Sequence, residues 1–361
     1  MNKRITFLLC AIFICNTLTF GQGLQHTWNL SETMTATLDI EKSEFTIKTT
    51  KVGEEMPGYF YSDTQPWLSV ASAITSIIIE NGVGSIGTNV FLGFDNLTSI
   101  NIPNSVTMIG DGAFSKCIKL ASISIPNSVT TIGNHAFYGC KSLTSINFPN
   151  SVTTIGMNAF AECNSLTFVD IPPSIKTIGI NTFIKCSNLA SVNIACQTVG
   201  GGAFYDCPNL TTVTISSSVT TLEGNVFNAC FNLKDVTVSW IIPLNIPSTN
   251  FSVVNNTGVT LHVPAGTENL YKVAPVWKDF KISTYTVDNE NINTQSLNAY
   301  STKGMMQING LLTGQSLYIY SINGQLVYQG IANAEQEQIP VATSGVYVVV
   351  AGEQKVKVIV N

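Results

Sequence analysis

The sequence predicts a mainly β fold, in which a solenoid of about eight parallel strands precedes a small antiparallel β-sandwich. Three observations lead to this class. A unit of 23 residues recurs along the middle of the chain, as in NSVTTIGNHAFYGCKSLTSINFP at 127–149. Each copy ends in alternating apolar residues, which is the period of a strand with one buried face. Near Val287 the repeat stops, and patterns of strands and turns begin.

One phenylalanine per copy sets the register of the repeat. These residues are Phe91, Phe114, Phe137, Phe160, Phe183, Phe204 and Phe227. A leucine follows six positions later and opens a strand pattern such as Leu143, Ile146, Phe148. Units this short bury an apolar face only by stacking, and a leucine-rich period of this length with one strand per turn is typical of a leucine-rich repeat solenoid. A second short strand, as in VTTIG, is predicted on the opposite side.

Glycines four residues before the phenylalanine are predicted to form a turn with positive φ. They are Gly87, Gly110, Gly133, Gly156, Gly179 and Gly200. In the last copy Glu223 takes this position, with Gly224 beside it.

A cysteine stands three positions after the phenylalanine in every copy except the first, where Phe94 replaces it. Equivalent side chains in a solenoid point in parallel, whereas a disulfide needs its two Cβ atoms about 3.8 Å apart and a twist near 90°. A ladder of buried free thiols is therefore favoured over bridges between neighbouring copies. Cys196, in a copy that is two residues shorter, is predicted to be the most exposed thiol.

The ends of the chain differ from the repeats. Lys3 and Arg4 before the apolar run ITFLLCAIFIC predict a signal peptide and an exported protein. A membrane anchor is the alternative, but the run is much shorter than the roughly 20 residues that span a bilayer. The predicted divisions are a signal peptide at 1–21, an N-terminal cap at 22–73, the array at 74–239, a C-terminal cap at 240–284, a linker at 285–300 and a β-domain at 301–361. Asn323-Gly324 predicts a hairpin within that last domain.

The repeat pattern VTxIGxxAFxxCxxLxxIxIP resembles that of the BspA-like leucine-rich repeat family of bacterial surface proteins, over roughly residues 26–284. This resemblance implies a role in adhesion at the cell surface, with a host or bacterial surface protein or a glycan as the partner. The tail, with its hairpins LYIYSINGQLVYQG and GVYVVVAGEQKVKVIVN, resembles the C-terminal sorting domain of the Bacteroidetes type IX secretion system. That second resemblance implies recognition by export machinery. An ordinary β-sandwich appendage is the alternative for the tail.

The sequence gives little support for an enzyme. The net charge is −5 and no basic run follows the leader, which argues against a nucleic-acid partner. His26, His135 and His262 lie far apart in the chain, and none has an acidic or cysteine residue at metal-ligand spacing. We therefore predict no catalytic residue, no metal and no cofactor, and no membrane span in the mature protein.

The predicted binding surface, called the strand face below, consists of residues that alternate with the buried ones along the strands. Its candidate residues are Ser145, Asn147, Phe168, Asp170, Ser191, Asn193, Thr212 and Thr214. Eight strands at about 4.8 Å would make the whole sheet about 35 Å long. A structural scaffold or spacer without a specific ligand is the alternative function, since such residues also solvate a sheet.

Overall fold

The computed structural model describes residues 25–59, 65–254, 256–285, 297–302, 305–311, 316–322, 324–334, 336–341, 343–351 and 354–360. The predicted signal peptide, most of the predicted linker and Asn323 of the predicted hairpin lie outside these residues. The chain forms two compact units. One comprises Met1–Trp240, Leu244–Val263 and Ala274–Ser283, and the other comprises Ile241–Pro243, Pro264–Val273 and Thr284–Asn361.

The first unit begins with antiparallel strands that cover the end of the array. They are β1 (Gln25–Asn29), β2 (Met34–Asp39) and β3 (Glu44–Thr49), followed by the two-residue β4 (Glu54–Glu55) and a 3-10 helix at Leu68–Ala73. The rings of Phe45 and Trp67 are fully buried and pack edge to face, with centroids 5.0 Å apart. Phe45 also contacts Phe91 of the first repeat. Aromatic side chains thus close the apolar end of the stack.

Every coil of the array contributes a short strand, and all but two also contribute a longer strand. In chain order the strands are β5 (Ser76–Ile79), β6 (Val83–Ile86), β7 (Ser99–Asn101), β8 (Met108–Ile109), β9 (Thr131–Ile132), β10 (Thr154–Ile155), β11 (Phe168–Ile171), β12 (Thr177–Ile178), β13 (Ser191–Ile194), β14 (Thr198–Val199), β15 (Thr212–Ile215), β16 (Thr221–Leu222) and β17 (Asp235–Val238). The short strands form one unbroken parallel sheet in the order β16-β14-β12-β10-β9-β8-β6-β4. The predicted parallel solenoid is confirmed.

The sheet of longer strands is interrupted, which differs from the continuous sheet expected. β7 ends one sheet, in the order β1-β2-β3-β5-β7, and β11 begins another. The equivalent residues of the two coils between them, 121–126 and 144–149, are not strands. The backbone N–H of Thr144 still donates to the carbonyl of Ala121 at 3.1 Å, but the pairing does not continue along the coil.

The phenylalanines form a buried column through the array. Successive rings from Phe91 to Phe227 lie 5.1 to 5.8 Å apart, with interplanar angles of 2 to 22°. Phe251 of the C-terminal cap adds one more ring, 5.4 Å from Phe227. The rings are fully or almost fully buried. Offset stacking of this kind adds to the stabilisation from area burial alone.

The prediction that the six glycines before the phenylalanines need a positive φ is wrong. The six glycines do not have positive φ; instead, left-handed residues lie two positions before and two after the phenylalanine, such as His135 and Gly139 around Phe137. The glycines are required because neighbouring coils approach closely. A Cβ on Gly156, for example, would lie 2.6 Å from the backbone nitrogen of Asn134.

Glu223, which takes the glycine position in the last copy, lies next to Gly201 of the copy before it. Its Cβ lies 3.9 Å from the ideal Cβ position of Gly201, and its carboxylate accepts a 2.7 Å hydrogen bond from the Gly201 N–H.

The six ladder cysteines are free and buried in the structure. The prediction for Cys196 is wrong, because this residue is also fully buried. Cys196 lies three positions before the buried Val199, just as Ile175 lies three positions before Ile178. It therefore fills a core position, although its copy is shorter.

The C-terminal cap continues the sheet of longer strands. β18 (Thr260–Pro264) pairs in parallel with β17, and β19 (Lys281–Tyr285) follows it in the sheet order β11-β13-β15-β17-β18-β19. The 3-10 turns at Ser248–Phe251, Asn256–Gly258 and Trp277–Asp279 belong to the first unit, and the helix α1 (Glu268–Tyr271) belongs to the second. The buried Trp277 donates from Nε1 to the Leu244 carbonyl at 2.7 Å.

The second unit contains two antiparallel sheets with a shared core, as the sequence predicts. Its strands are β20 (Asn298–Thr302), β21 (Met305–Asn309), β22 (Ser316–Ser321), β23 (Leu326–Ile331), β24 (Gln336–Pro340), β25 (Gly345–Ala351) and β26 (Gln354–Val360). The sheet orders are β20-β21-β24 and β23-β22-β25-β26. Met306, Ile319 and Val349 are among the residues buried between them. Gly324 has a φ of 79°, which is consistent with the predicted hairpin between β22 and β23.

Candidate functional site: the strand face

Six of the eight candidate residues lie side by side on β11, β13 and β15. In the parallel register Phe168 is opposite Ser191 and Ser191 is opposite Thr212, which makes one row across the sheet. The second row, two residues further along the strands, consists of Asp170, Asn193 and Thr214. The rows form because side chains two residues apart on a strand share one face.

The two rows point away from the core. Along β11, exposed Phe168 and Asp170 alternate with buried Val169 and Ile171. Asn193 is exposed, and Ser191, Thr212 and Thr214 are half-buried. The β-strands fix the backbone beneath these side chains, so the two rows have a defined spacing.

Ser145 and Asn147 are exposed, but they lie on the coil at 144–149 rather than on a strand. They therefore belong to the interruption between β7 and β11. Among the described residues, the polar side-chain atoms of Ser145, Asn147, Asp170, Ser191 and Asn193 have no hydrogen-bond partner. Their donors and acceptors are available to water or to a ligand.

Phe168 differs from its neighbours on the face. Its side chain is 45% exposed, whereas every phenylalanine of the column is buried. A second phenylalanine, Phe231, has a side chain that is 62% exposed, but it lies in the turn after Cys230 and outside the two rows. Phe168 is thus the aromatic side chain that the strand face presents.

An acidic residue and a histidine meet at the end of the face, which the sequence spacing did not reveal. His262 Nε2 lies 2.9 Å from Asp235 Oδ1, and both side chains are partly exposed. The two residues are 27 positions apart, and it is the pairing of β17 with β18 that brings them together. No sequence signal marks this contact, because β18 lies in the cap, which does not follow the 23-residue period.

The strand face is polar and almost uncharged. Hydroxyl, amide and carboxylate groups surround one aromatic ring, and the two rows contain no lysine or arginine. Within the described part of the chain, no three His, Cys, Asp or Glu side chains are grouped so that they could hold a metal ion. His135 instead contacts the Asn158 side chain, at 3.2 Å from Nε2.

Comparison with protein families identifies the repeats. The model of the BspA type leucine rich repeat region matches residues 69–190, 107–234 and 153–260, in six copies. Together these matches span 69–260, more than half of the chain. The chain belongs to this family. Outside the BspA-type array, residues 286–360 match a domain of unknown function, DUF6383. The sorting role of the tail therefore stays a prediction.

Several solved structures are similar to the chain. A leucine-rich repeat protein of T. pallidum is 28% identical over 57% of this chain and 90% of its own, with a TM-score of 0.42. A leucine-rich repeat protein of Eubacterium ventriosum is 22% identical over 73% and 85%, with a TM-score of 0.40. A leucine rich cell surface protein of Faecalibacterium prausnitzii is 18% identical over 73% and 95%, with a TM-score of 0.31. A search of curated proteins found no match. No helix within the described ranges is long and apolar enough to cross a membrane.

Proposed function

We propose that this chain is a non-enzymatic protein of the outer cell surface or medium, whose BspA-type array binds a surface protein or a glycan. The observation that carries the proposal is the pair of aligned rows on β11, β13 and β15, with exposed Phe168 at one end. An exposed aromatic ring on a rigid polar surface is the kind of residue on which binding energy concentrates.

Repetition is consistent with this function. A single 23-residue unit presents two outward side chains on this face, whereas stacked units present them in register along a sheet. The result is an extended surface suited to a macromolecule, and extended surfaces of this kind are used for binding by solenoid proteins in general. The scaffold or spacer without a ligand is the competing function.

The test is a binding screen of the mature chain against matrix proteins and glycans. It is followed by the double variant Phe168→Ala with Asp170→Ala, and Phe231→Ala serves as the matched control. We expect the double variant to lose affinity for the partner while it keeps the unfolding midpoint of the parent, because both side chains lie outside the core. If the double variant binds with the affinity of the parent, the binding site lies in the turns or on the sheet of short strands instead. Absence of any partner in the screen would favour the spacer.

Export is the second part of the proposal. We propose that residues 1–21 direct the chain across the inner membrane and that residues 301–361 act as the signal for a second crossing. The compact core of the second unit supports a role for the tail as a separate module. Fractionation of a native-type host that expresses the chain with and without residues 288–361 tests it. Efficient arrival of the truncated protein at the surface would contradict the sorting role.

A further inference from the structure

We infer that the strand face selects an uncharged glycan, with Phe168 as the ring on which a sugar stacks. This inference rests on the proposed function and specifies which of its two partner classes the face fits. Three properties of the face support a neutral glycan: its charge, its unused hydrogen-bonding groups and the interruption in its sheet.

The charge of the face argues against an anionic ligand. From β7 to β15 the outward residues are Ser99, Asn101, Ser122, Ser124, Ser145, Asn147, Phe168, Asp170, Ser191, Asn193, Thr212 and Thr214. This set holds one carboxylate and no lysine or arginine. A sulfated or sialylated glycan would therefore meet Asp170 without a compensating cation, and such a like-charge contact rejects a partner. A neutral glycan meets no such barrier.

The hydrogen-bonding groups match sugar hydroxyls, each of which both donates and accepts. The amides of Asn147 and Asn193 offer donors and acceptors, and the Asp170 carboxylate accepts at two oxygens. Asp170 and Asn193 are direct neighbours in the register, and Asn147 lies one coil before them. Since these groups have no partner in the described chain, a ligand does not have to break an internal hydrogen bond to reach them.

The interruption in the sheet does not open a free edge. The N–H groups of 122–125 and 145–148 donate to no residue in the described chain, but they point along the stack toward the neighbouring coil and not outward. A peptide strand cannot add here as it does at a free sheet edge, because the coil at 144–149 already lies next to β11 in the repeat. This argues against strand addition by a protein partner. It leaves a polar surface on which a chain of hydroxylated rings can lie.

Phe168 provides the apolar contact that such a ligand needs. One face of a hexopyranose ring carries mainly C–H groups, and these pack against the electron-rich face of an aromatic ring. The Phe168 ring is 45% exposed and has Ser191 beside it and Asp170 on its own strand. Apolar stacking and polar hydrogen bonding are therefore available to one sugar residue at the same time.

The experiment measures binding of the full mature chain to immobilised neutral oligosaccharides, with heparin fragments and sialylated oligosaccharides as anionic comparators. Four chains are compared: the parent, Phe168→Ala, Phe231→Ala and Asp170→Lys. We expect the parent to bind neutral oligosaccharides and not the anionic ones. Phe168→Ala should weaken binding by about tenfold or more, which corresponds to about 1.4 kcal/mol. Phe231→Ala should bind as the parent does, and Asp170→Lys should gain affinity for heparin.

The outcomes separate this inference from the proposed function. Binding to a matrix protein that is lost in Phe168→Ala, without binding to any neutral oligosaccharide, overturns the inference and leaves the proposed function in place. Equal binding of heparin and neutral oligosaccharides by the parent also overturns it, as does an unchanged affinity in Phe168→Ala. Failure to bind any glycan or protein overturns both.

Discussion

The thiol of Cys163 donates a hydrogen bond to the carbonyl oxygen of Phe137, which lies 26 residues earlier in the chain, at 3.2 Å. The same relationship recurs for all six ladder cysteines, at 3.2 to 3.3 Å. The Phe137 carbonyl also accepts from the backbone N–H of Cys140 at 3.2 Å, so the thiol supplies a second hydrogen bond, and the space beside the carbonyl is apolar. Cysteine suits both conditions, since it packs as a small apolar residue and still carries a weak donor. The ladder therefore links each coil to the one before it.

Replacing Cys163 by alanine should destabilise the array. The Phe137 carbonyl would keep the Cys140 N–H as a donor but lose the thiol hydrogen bond, which contributes about 0.5–1.5 kcal/mol, and the packing of the sulfur atom would be lost as well. The measurement is the urea unfolding midpoint of each variant. Cys163→Ser keeps a donor at nearly the same place and should lie closer to the parent than Cys163→Ala. A midpoint of Cys163→Ala equal to that of the parent would show that the thiol acts only as a filler.

The buried thiols should make the array less stable at high pH. Burial raises the pKa of Cys140 and of Cys186 from 9.0 to about 12. In the unfolded chain these thiols lose their protons near pH 9, whereas in the folded chain they keep them. Above that pH the unfolded state therefore binds fewer protons, and the free energy of unfolding falls by up to about 1.4 kcal/mol per pH unit for each thiol. Below the unfolded pKa this contribution is fully present and does not change with pH.

Urea unfolding at neutral and at alkaline pH measures this effect, with Cys140→Val as the control. The variant lacks one titrating thiol, and its midpoint should fall less steeply above pH 9 than that of the parent. Lysines and tyrosines also titrate in this range, but they contribute equally to both proteins. Identical slopes would mean that Cys140 is accessible to solvent in the folded chain.

Phe137→Ala tests the phenylalanine column. The Phe137 ring lies 5.3 Å from that of Phe114 and 5.1 Å from that of Phe160, and it is fully buried. Removing it leaves a cavity that the neighbouring rings cannot fill, and we expect a loss of about 3–5 kcal/mol in the free energy of unfolding. Chemical denaturation measures the loss, and exposed Phe231→Ala should remain near the parent. A small effect at Phe137 would contradict the rigid packing of the column.

The parts of this fold that repeat were predictable from sequence. The register of the phenylalanines and the burial of the ladder cysteines follow from spacing alone, because equivalent residues of stacked coils share one environment. The contact of Asp235 with His262 was not predictable in the same way. It depends on β18 of the cap pairing with the last repeat strand, and the cap sequence does not follow the 23-residue period.

The strand face was predictable in part. Alternation placed Phe168 and Asp170 correctly on the outward side of β11. The same alternation occurs at Ser145 and Asn147, where the structure has no strand. Side-chain pattern therefore indicates which way a residue points, but it does not determine whether backbone pairing between neighbouring coils is complete.

Gly156→Ala tests whether close approach of the coils, rather than backbone conformation, requires glycine before each phenylalanine. The new Cβ would lie 2.6 Å from the Asn134 nitrogen, and backbone must shift to accommodate it. We expect a loss of about 1–3 kcal/mol, as for overpacking of a core, measured by chemical denaturation. Gly93→Ala is the matched control, because Gly93 has a φ of +75° and no atom within 4 Å of its Cβ position. Its cost should be limited to the left-handed conformation, about 1 kcal/mol. If close approach of the coils is the reason for glycine, Gly156→Ala should lose more free energy of unfolding than Gly93→Ala. A larger loss in Gly93→Ala would contradict this, because it would mean that the coils separate easily and that glycine is needed for its backbone conformation.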